Sequence, residues 1–269
     1  MCRRLTMIDR CFRHALPLLE CLLLLPLAAV ADEECRRLTA TGNPEYPPYL
    51  WRDPQNPQQL IGANADLLKY LGKQLGLEIE VVYGGPWSRA QEEVRTGRID
   101  LMAGYFLTKD RQQQMDFITP AVLHTPSVIW VRQDNAFAYR QWADLKGRKG
   151  GTLVNNSHGQ QFDDYAKANL TLEAVPGARQ AFEKLVHKRS DYVVYEQYPG
   201  MALARTLGIA DTVQVLEPPI SSEGLYLALS HESPCNQPQL REALAREMEK
   251  IVAGALPEQL LQQNLERWQ

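Results

Sequence analysis

Gly97-Arg98-Ile99-Asp100-Leu101-Met102-Ala103 decides the fold once it is set beside a later phrase, Arg189-Ser190-Asp191-Tyr192-Val193-Val194-Tyr195. In both, a turn carrying an Arg ends in Asp and runs straight into apolar residues, the pattern of a buried strand bounded by a turn. A helix precedes each. The first runs from Trp87 to Thr96 and is stopped by Gly97; the second runs from Ala178 to Lys188 with Phe182, Leu185 and Val186 on its inward face. A helix-turn-strand unit that recurs after about ninety residues predicts two lobes of like architecture, each an α/β sheet with helices on its faces.

Outward from the first unit, Ala65, Leu68, Leu71 and Leu75 share one helical face and Gly76 supplies the stop. Leu77, Ile79, Val81 and Tyr83 then alternate as a half-buried strand before the turn Gly84-Gly85-Pro86. Between the two units, Pro126 to Arg132 reads as a strand, and Gly224 to Ser230 as another. If the chain passes into the second lobe near 126 and returns near 222, residues 32–125 and 222–269 form a discontinuous first lobe, 126–221 form the second, and two strands make the hinge. Such a hinge permits closure on a ligand. Helices over 237–253 and 257–267 would pack back on the first lobe.

The chain has 269 residues, 45% hydrophobic and 23% charged, enough for a sizeable core and about two domains. A net charge of -3 and a pI near 6.0 give no field for gripping nucleic acid. Five cysteines is an odd number for a secreted chain. The first 31 residues account for it. Arg3, Arg4, Arg10 and Arg13 precede an apolar stretch that closes on Ala29-Val30-Ala31, the form of a cleaved secretory signal. Its removal takes Cys2, Cys11 and Cys21, moves the formal charge from -3 to -5, and leaves Cys35 and Cys235. In an oxidising compartment two cysteines predict one disulfide, here tying the start of the chain to its end. The mature product is expected outside the cytoplasm, in the periplasm.

Several chemistries lack their residues. Asn155-Asn156-Ser157-His158-Gly159 sets a Ser beside a His but has no first Gly of a nucleophile elbow. Gly147 to Thr152 does not keep the phosphate-loop spacing. His124, His158, His187 and His231 have no metal-ligand spacing, so neither metal nor cofactor is expected. What remains is a stiff aromatic loop, Asn43 to Trp51, and Arg111 just beyond a predicted strand end, where α/β sheets hold their ligands.

In order along the chain stand Tyr46-Pro47-Pro48-Tyr49, Gly62-Ala63-Asn64-Ala65-Asp66, Gly97-Arg98-Ile99-Asp100, Thr108-Lys109-Asp110-Arg111 and Asp116-Phe117-Ile118-Thr119-Pro120. Together they resemble the family 3 periplasmic solute-binding proteins, the amino-acid type that serve ABC importers. The resemblance spans nearly all of the chain after the signal, with the second motif loose by one residue. It implies the two-lobed type II periplasmic-binding-protein fold, each lobe a mixed sheet flanked by helices, and a binding protein rather than an enzyme. It also implies a monomer that meets a small-molecule ligand and either a permease or a membrane sensor.

By the same resemblance Arg111 clamps a ligand carboxylate, which suits its guanidinium fork. The second-lobe donor loop falls on Asn156-Ser157-His158-Gly159, where Ser157 keeps a hydroxyl and His158 stands in place of the usual Thr. Glu196 stands where an acid holds the ligand's ammonium, one methylene longer than the commoner Asp. Tyr46 and Trp87 map onto stacking aromatics, and Asn43 onto a polar contact. Ala103, Gly104 and Phe106 cover the segment that usually offers a hydroxyl to the ammonium, and Phe106 has none. A buried ammonium short of partners is costly, so the ligand should be less polar or differently substituted than a standard amino acid.

Two other classes stay open. Cyclohexadienyl dehydratases resemble the same family and would use Glu196 as general acid on a prephenate-like substrate. A scaffold with an empty cleft is the third reading. Binding of a small carboxylate-bearing solute, an amino acid or derivative with an apolar or aromatic part, leads.

Overall fold

The computed structural model describes residues 35–268. The expected signal segment, with Cys2, Cys11 and Cys21, lies outside the described residues. Among those described, no helix is long and apolar enough to cross a membrane.

The first lobe begins with β1 (Arg37–Thr41), the short strands β2 (Glu45–Tyr46), β3 (Leu50–Arg52) and β4 (Leu60–Ile61), then α1 (Ala63–Leu75) and β5 (Glu78–Val81). It continues through α2 (Trp87–Arg95), β6 (Leu101–Tyr105), the single turn α3 (Lys109–Gln112) and the long strand β7 (Met115–Arg132). Next come β8 (Lys149–Leu153), α4 (Gln160–Asn169), β9 (Thr171–Val175), α5 (Ala178–Val186), β10 (Tyr192–Glu196) and α6 (Gln197–Thr206). A second long strand, β11 (Val213–Ser230), returns the chain, and α7 (Pro238–Ala253) and α8 (Leu256–Arg267) end it.

One eight-stranded sheet runs in the order β5-β1-β6-β11-β7-β10-β8-β9. At one end β5, β1 and β6 are parallel, and at the other β10, β8 and β9 are parallel. The antiparallel pair β11 and β7 joins them. Its ladder is interrupted between Leu216 and Ser221 and again between Leu225 and Leu227. The strand predicted over 126–132 thus starts at Met115, and that predicted over 224–230 starts at Val213. Pro120, Pro218 and Pro219 lie in the stretches where the ladder lapses, and a proline, which cannot donate to a ladder, masks the period in the sequence.

The repeated sequence phrase is a repeated structural joint. Asp100 accepts the backbone N–H of Thr39 at 2.8 Å, on the strand parallel to its own, and also the hydroxyls of Thr39 (2.9 Å) and Ser233 (2.7 Å). Asp191 accepts the backbone N–H of Lys149 at 2.8 Å, again on the neighbouring parallel strand. Each carboxylate pins the start of one strand to the next.

The helices bury the faces their spacing implies. In α1 Leu67, Leu68 and Leu71 are buried, and they pack with Leu38, Leu101, Leu244 and Met248 into the first-lobe core. In α5 Phe182 and Leu185 are buried against Trp130, Val193 and Tyr195. At roughly 1.5–3 kcal/mol for each fully buried large apolar side chain, these clusters supply the main driving force for each lobe. Cys35 and Cys235 are bonded, with Cα atoms 5.3 Å apart, so the start of the described chain is tied to the segment between β11 and α7.

Candidate functional site

The ends of β2, β6 and β10 converge with the first residue of α2 on a small cavity between the lobes. Asn43, Tyr46, Trp87, Gly104, Phe106 and Arg111 line it from the first lobe, together with Tyr105. Asn156 and Glu196 face them from the second, and Leu225 of β11 closes one side. The cavity measures about 20 Å³, room for about one water molecule. A larger groove of about 520 Å³ opens outward from it, sharing Tyr105, Arg111 and Asn156. The outer groove has the volume and is mostly polar; the inner cavity has the buried, convergent groups expected of a ligand seat.

Local sequence explains the first-lobe wall. Gly104 sits at φ +76, and a Cβ there would lie 2.3 Å from Asn64 Nδ2, so the end of β6 needs glycine to turn the following Phe106 inward. Tyr46 stacks on Tyr49 with centroids 5.2 Å apart and meets Tyr195 edge-on at 6.4 Å. Trp87 meets Tyr105 edge-on at 5.7 Å. The wall is therefore interlocked rather than a set of loose rings.

Arg111 is 9% exposed. Its guanidinium lies 3.7 Å over the Tyr105 ring, donates to Phe106 O at 2.9 Å and reaches across the cleft to Asn155 O at 3.3 Å. Burial lowers its pKa, opposed by the attraction of Tyr105, Asp163 and Glu196. Further bonds cross the cleft. Trp87 Nε1 donates to Asn156 Oδ1 at 3.1 Å, Lys109 N to Gln160 Oε1 at 3.1 Å, and Tyr195 Oη to Glu45 O at 2.9 Å. Glu45 Oε2 accepts the Ala178 N–H at 3.3 Å, capping α5, whose own N-cap Gly177 has no side chain to do so.

Glu196 is 2% exposed, and burial pushes its carboxyl up to about 7 against the pull of Asn156 and Arg111. Its Oε2 has no hydrogen-bond partner in the protein, nor has Asn156 Nδ2. Behind it, His158 Nδ1 lies 3.7 Å from Glu196 Oε1, and His158 Nε2 is 2.8 Å from the Thr152 hydroxyl. Burial first, then Arg111, depresses His158 to about 3. The imidazole is neutral at ordinary pH, so the His158–Glu196 contact is not an ion pair.

Seven of the eleven sequence-predicted ligand residues meet at the cavity: Asn43, Tyr46, Trp87, Gly104, Phe106, Arg111 and Glu196. The other four stand off its wall. Ala103 packs in the first-lobe core. Ser157 lies in the outer groove, its hydroxyl donating to Asp163. His158 sits behind Glu196, and Gly159, at φ +97, faces the Glu223 carboxylate, which a Cβ would strike at 2.1 Å. Tyr105 and Asn156 lie within the two segments read from the sequence, though neither was named as a contact, and Leu225 was not anticipated. Tyr105 and Asn156 are direct neighbours of predicted residues, whereas Leu225 stands at a ladder interruption that no periodicity announces.

A family model described as bacterial extracellular solute-binding proteins, family 3, matches residues 38–267. No curated protein matches. Among similar solved structures is a histidine kinase sensor domain described as similar to periplasmic binding proteins, 21% identical with a TM-score of 0.72, covering 86% of this chain and 96% of that one. A mutant of ArgBP from T. maritima is 19% identical with a TM-score of 0.72, covering 88% and 99%. An amino acid ABC transporter substrate-binding protein, AbpA from Streptococcus pneumoniae, bound to L-arginine, is 18% identical with a TM-score of 0.71, covering 89% and 98%. At these identities the structures speak for the two-lobed fold alone. With the family model spanning nearly all the described residues, the chain belongs to the family 3 bacterial extracellular solute-binding proteins.

Proposed function

We propose that this chain closes its two lobes on a small carboxylate-bearing solute, an amino acid or derivative with an apolar or aromatic part, and delivers it for import or sensing. The observation that carries the reading is the Glu196 carboxylate, buried with an unpartnered oxygen at an interlobe cavity walled by Tyr46, Trp87 and Phe106. A protonated amine against Glu196 would satisfy that oxygen, and the aromatic faces would add cation–π attraction. Arg111 would meet the carboxylate. The lobes would be residues 32–125 with 222–269, and 126–221. The product would be a periplasmic monomer, freed by cleavage after Ala31, that needs no cofactor or metal. Its recipient would be an ABC permease or a membrane sensor, a reading supported by the substrate-binding protein of an ABC transporter and the histidine kinase sensor domain among its structural neighbours.

A thermal-shift screen over amino acids, opines, polyamines and aromatic acids, with mass spectrometry of co-purified ligand, tests this. The expected result is a stabilising hit that Arg111→Ala and Glu196→Gln both weaken. A ligand without any ionisable nitrogen would remove the role given to Glu196.

One observation favours a second reading. A buried carboxyl pushed up to about 7 is suited to donate a proton, as a dehydratase acting on prephenate or arogenate requires. Aromatic product formed by the purified protein and lost in Glu196→Gln would establish that enzyme activity in place of pure binding.

A further inference from the structure

The second-lobe loop that follows β8 already holds a carboxylate, and it is the chain's own. Asp163, in the first turn of α4, accepts the Ser157 hydroxyl on Oδ2 and the His158 N–H on Oδ1 at 2.9 Å. The third donor of the loop, Gly159 N–H, is turned to Ser157 Oγ at 3.2 Å. The N-terminal end of α4 adds its dipole to the hold on this anion. Asp163 also lines the outer groove alongside Arg111, and the two charges attract. The hydroxyl and amide donors that a ligand carboxylate would require are therefore spent, and Arg111 has an internal anion near it.

The inner cavity is short of donors for an anion. Its free acceptor is Glu196 Oε2, its one unpartnered amide donor is Asn156 Nδ2, its walls are Tyr46, Trp87 and Phe106, and none of the 157–159 donors reaches it. With Arg111 positive and Asp163 and Glu196 both able to carry negative charge, a bound monocation leaves the cleft balanced. A zwitterion would bring a carboxylate toward Asp163 and Glu196 with only part of Arg111 to meet it, and a buried charge without full pairing is strongly disfavoured. We infer that Asp163 stands in for the ligand's carboxylate and sets the specificity of the site, which favours amino-acid derivatives whose α-carboxylate is absent or masked: amines and amino-acid amides with an apolar or aromatic body. The inference rests on the interlobe binding and the Glu196–amine contact of the reading above, and departs from it in one respect: Arg111 is matched by Asp163 rather than by a ligand carboxylate.

The test is a calorimetric panel on the wild-type protein using matched sets: phenylalanine, phenylalaninamide and 2-phenylethylamine; arginine, argininamide and agmatine. The expected result is that the amide or amine of at least one set binds about tenfold or more tightly than its parent amino acid, and that Asp163→Asn narrows this gap by about tenfold. The Asn side chain can still accept one of the loop donors, so the loop keeps a cap while losing the charge. A parent amino acid bound more tightly than its amide and amine overturns the inference and leaves the binding reading standing. An unchanged preference in a folded Asp163→Asn protein overturns the role of Asp163. Binding of no member of either set counts against both. The wild-type comparison decides the ligand class by itself, whatever the folding of the variant, and the variant decides the part played by Asp163.

Discussion

The two strand ends that face each other across the cavity share a scaffold and differ in chemistry. In the first lobe β6 starts at the Asp100 joint and ends on Gly104, Tyr105 and Phe106, a wall of rings. In the second, β10 starts at the Asp191 joint and ends on Glu196, backed by His158. The lesson lies in the division of labour along each strand: the entering Asp fixes the strand's register, and the last residues are free to carry the recognition. The lobes also differ in how they are held. The first contains both ends of the described chain and the Cys35–Cys235 bond, whereas the second is joined to it through β7, β11 and contacts across the cleft.

That asymmetry can be broken most severely at the disulfide. Cys35 and Cys235 are separated by 200 residues, for which loop-closure entropy gives about 5 kcal/mol. Cys35→Ser with Cys235→Ser should lower the urea midpoint accordingly. Hydrogen exchange should speed up first in β1, β5 and α7, where the ends are anchored. Equal acceleration in β8 and β9 would deny the first lobe any special dependence on the staple.

The next largest effect lies in pH. Folded Glu196 keeps its proton up to about 7, whereas the unfolded group releases it near 4.5, so the folded state binds more protons across that window. Stability from this group is fully present below the unfolded value and is lost as pH rises through the folded one, on the order of 3 kcal/mol in all. His158 slopes the other way. Its folded value of about 3 against an ordinary 6.5 means stability is lost as pH falls through that range. Between about 4.5 and 6.5 the two slopes offset each other, so urea midpoints should be level there and fall on either side. Glu196→Gln should remove the alkaline fall and leave midpoints rising up to about 6.5. An unaltered alkaline slope would place that titration elsewhere.

A smaller effect compares the two joints. Asp100 takes three hydrogen bonds and Asp191 one from its neighbouring strand, so Asp100→Ala should cost about 3 kcal/mol and Asp191→Ala about 1. Equal losses in urea melts would mean that the repeated phrase is an echo in sequence without the same mechanical weight. The smallest effect belongs to Glu45, which caps α5 from the opposite lobe. Glu45→Ala should cost about 1 kcal/mol of closure, seen as a severalfold faster release of bound ligand in stopped-flow fluorescence. Release at the wild-type rate would remove Glu45 as a tie between the lobes.

Much of this architecture was legible in the chain because it obeys simple periods. The helices at Leu68–Leu71 and Phe182–Leu185, the terminal helices, the cysteine pair and the repeated Asp joints follow from spacing and count alone. The full length of β7 and β11 was not, because prolines sit at the points where the ladder lapses. In the site, Arg111 could be placed because it follows a predicted strand end, whereas Glu196, the last residue of β10, was reached only through the family resemblance. The commitment of Ser157 and His158 to Asp163 could not, since it depends on how the first turn of α4 folds back on the loop before it. A residue type can be read from a sequence, but which partner has already claimed its hydrogen bonds cannot.

The cysteine bond has one more consequence. It closes a covalent ring that includes all of the second lobe, both long strands and most of the first lobe, leaving α7 and α8 as the tail beyond it. A protease that nicks the chain once anywhere inside the ring opens a circle without freeing a piece. Limited digestion would then show an intact band on a non-reducing gel and two fragments on a reducing one.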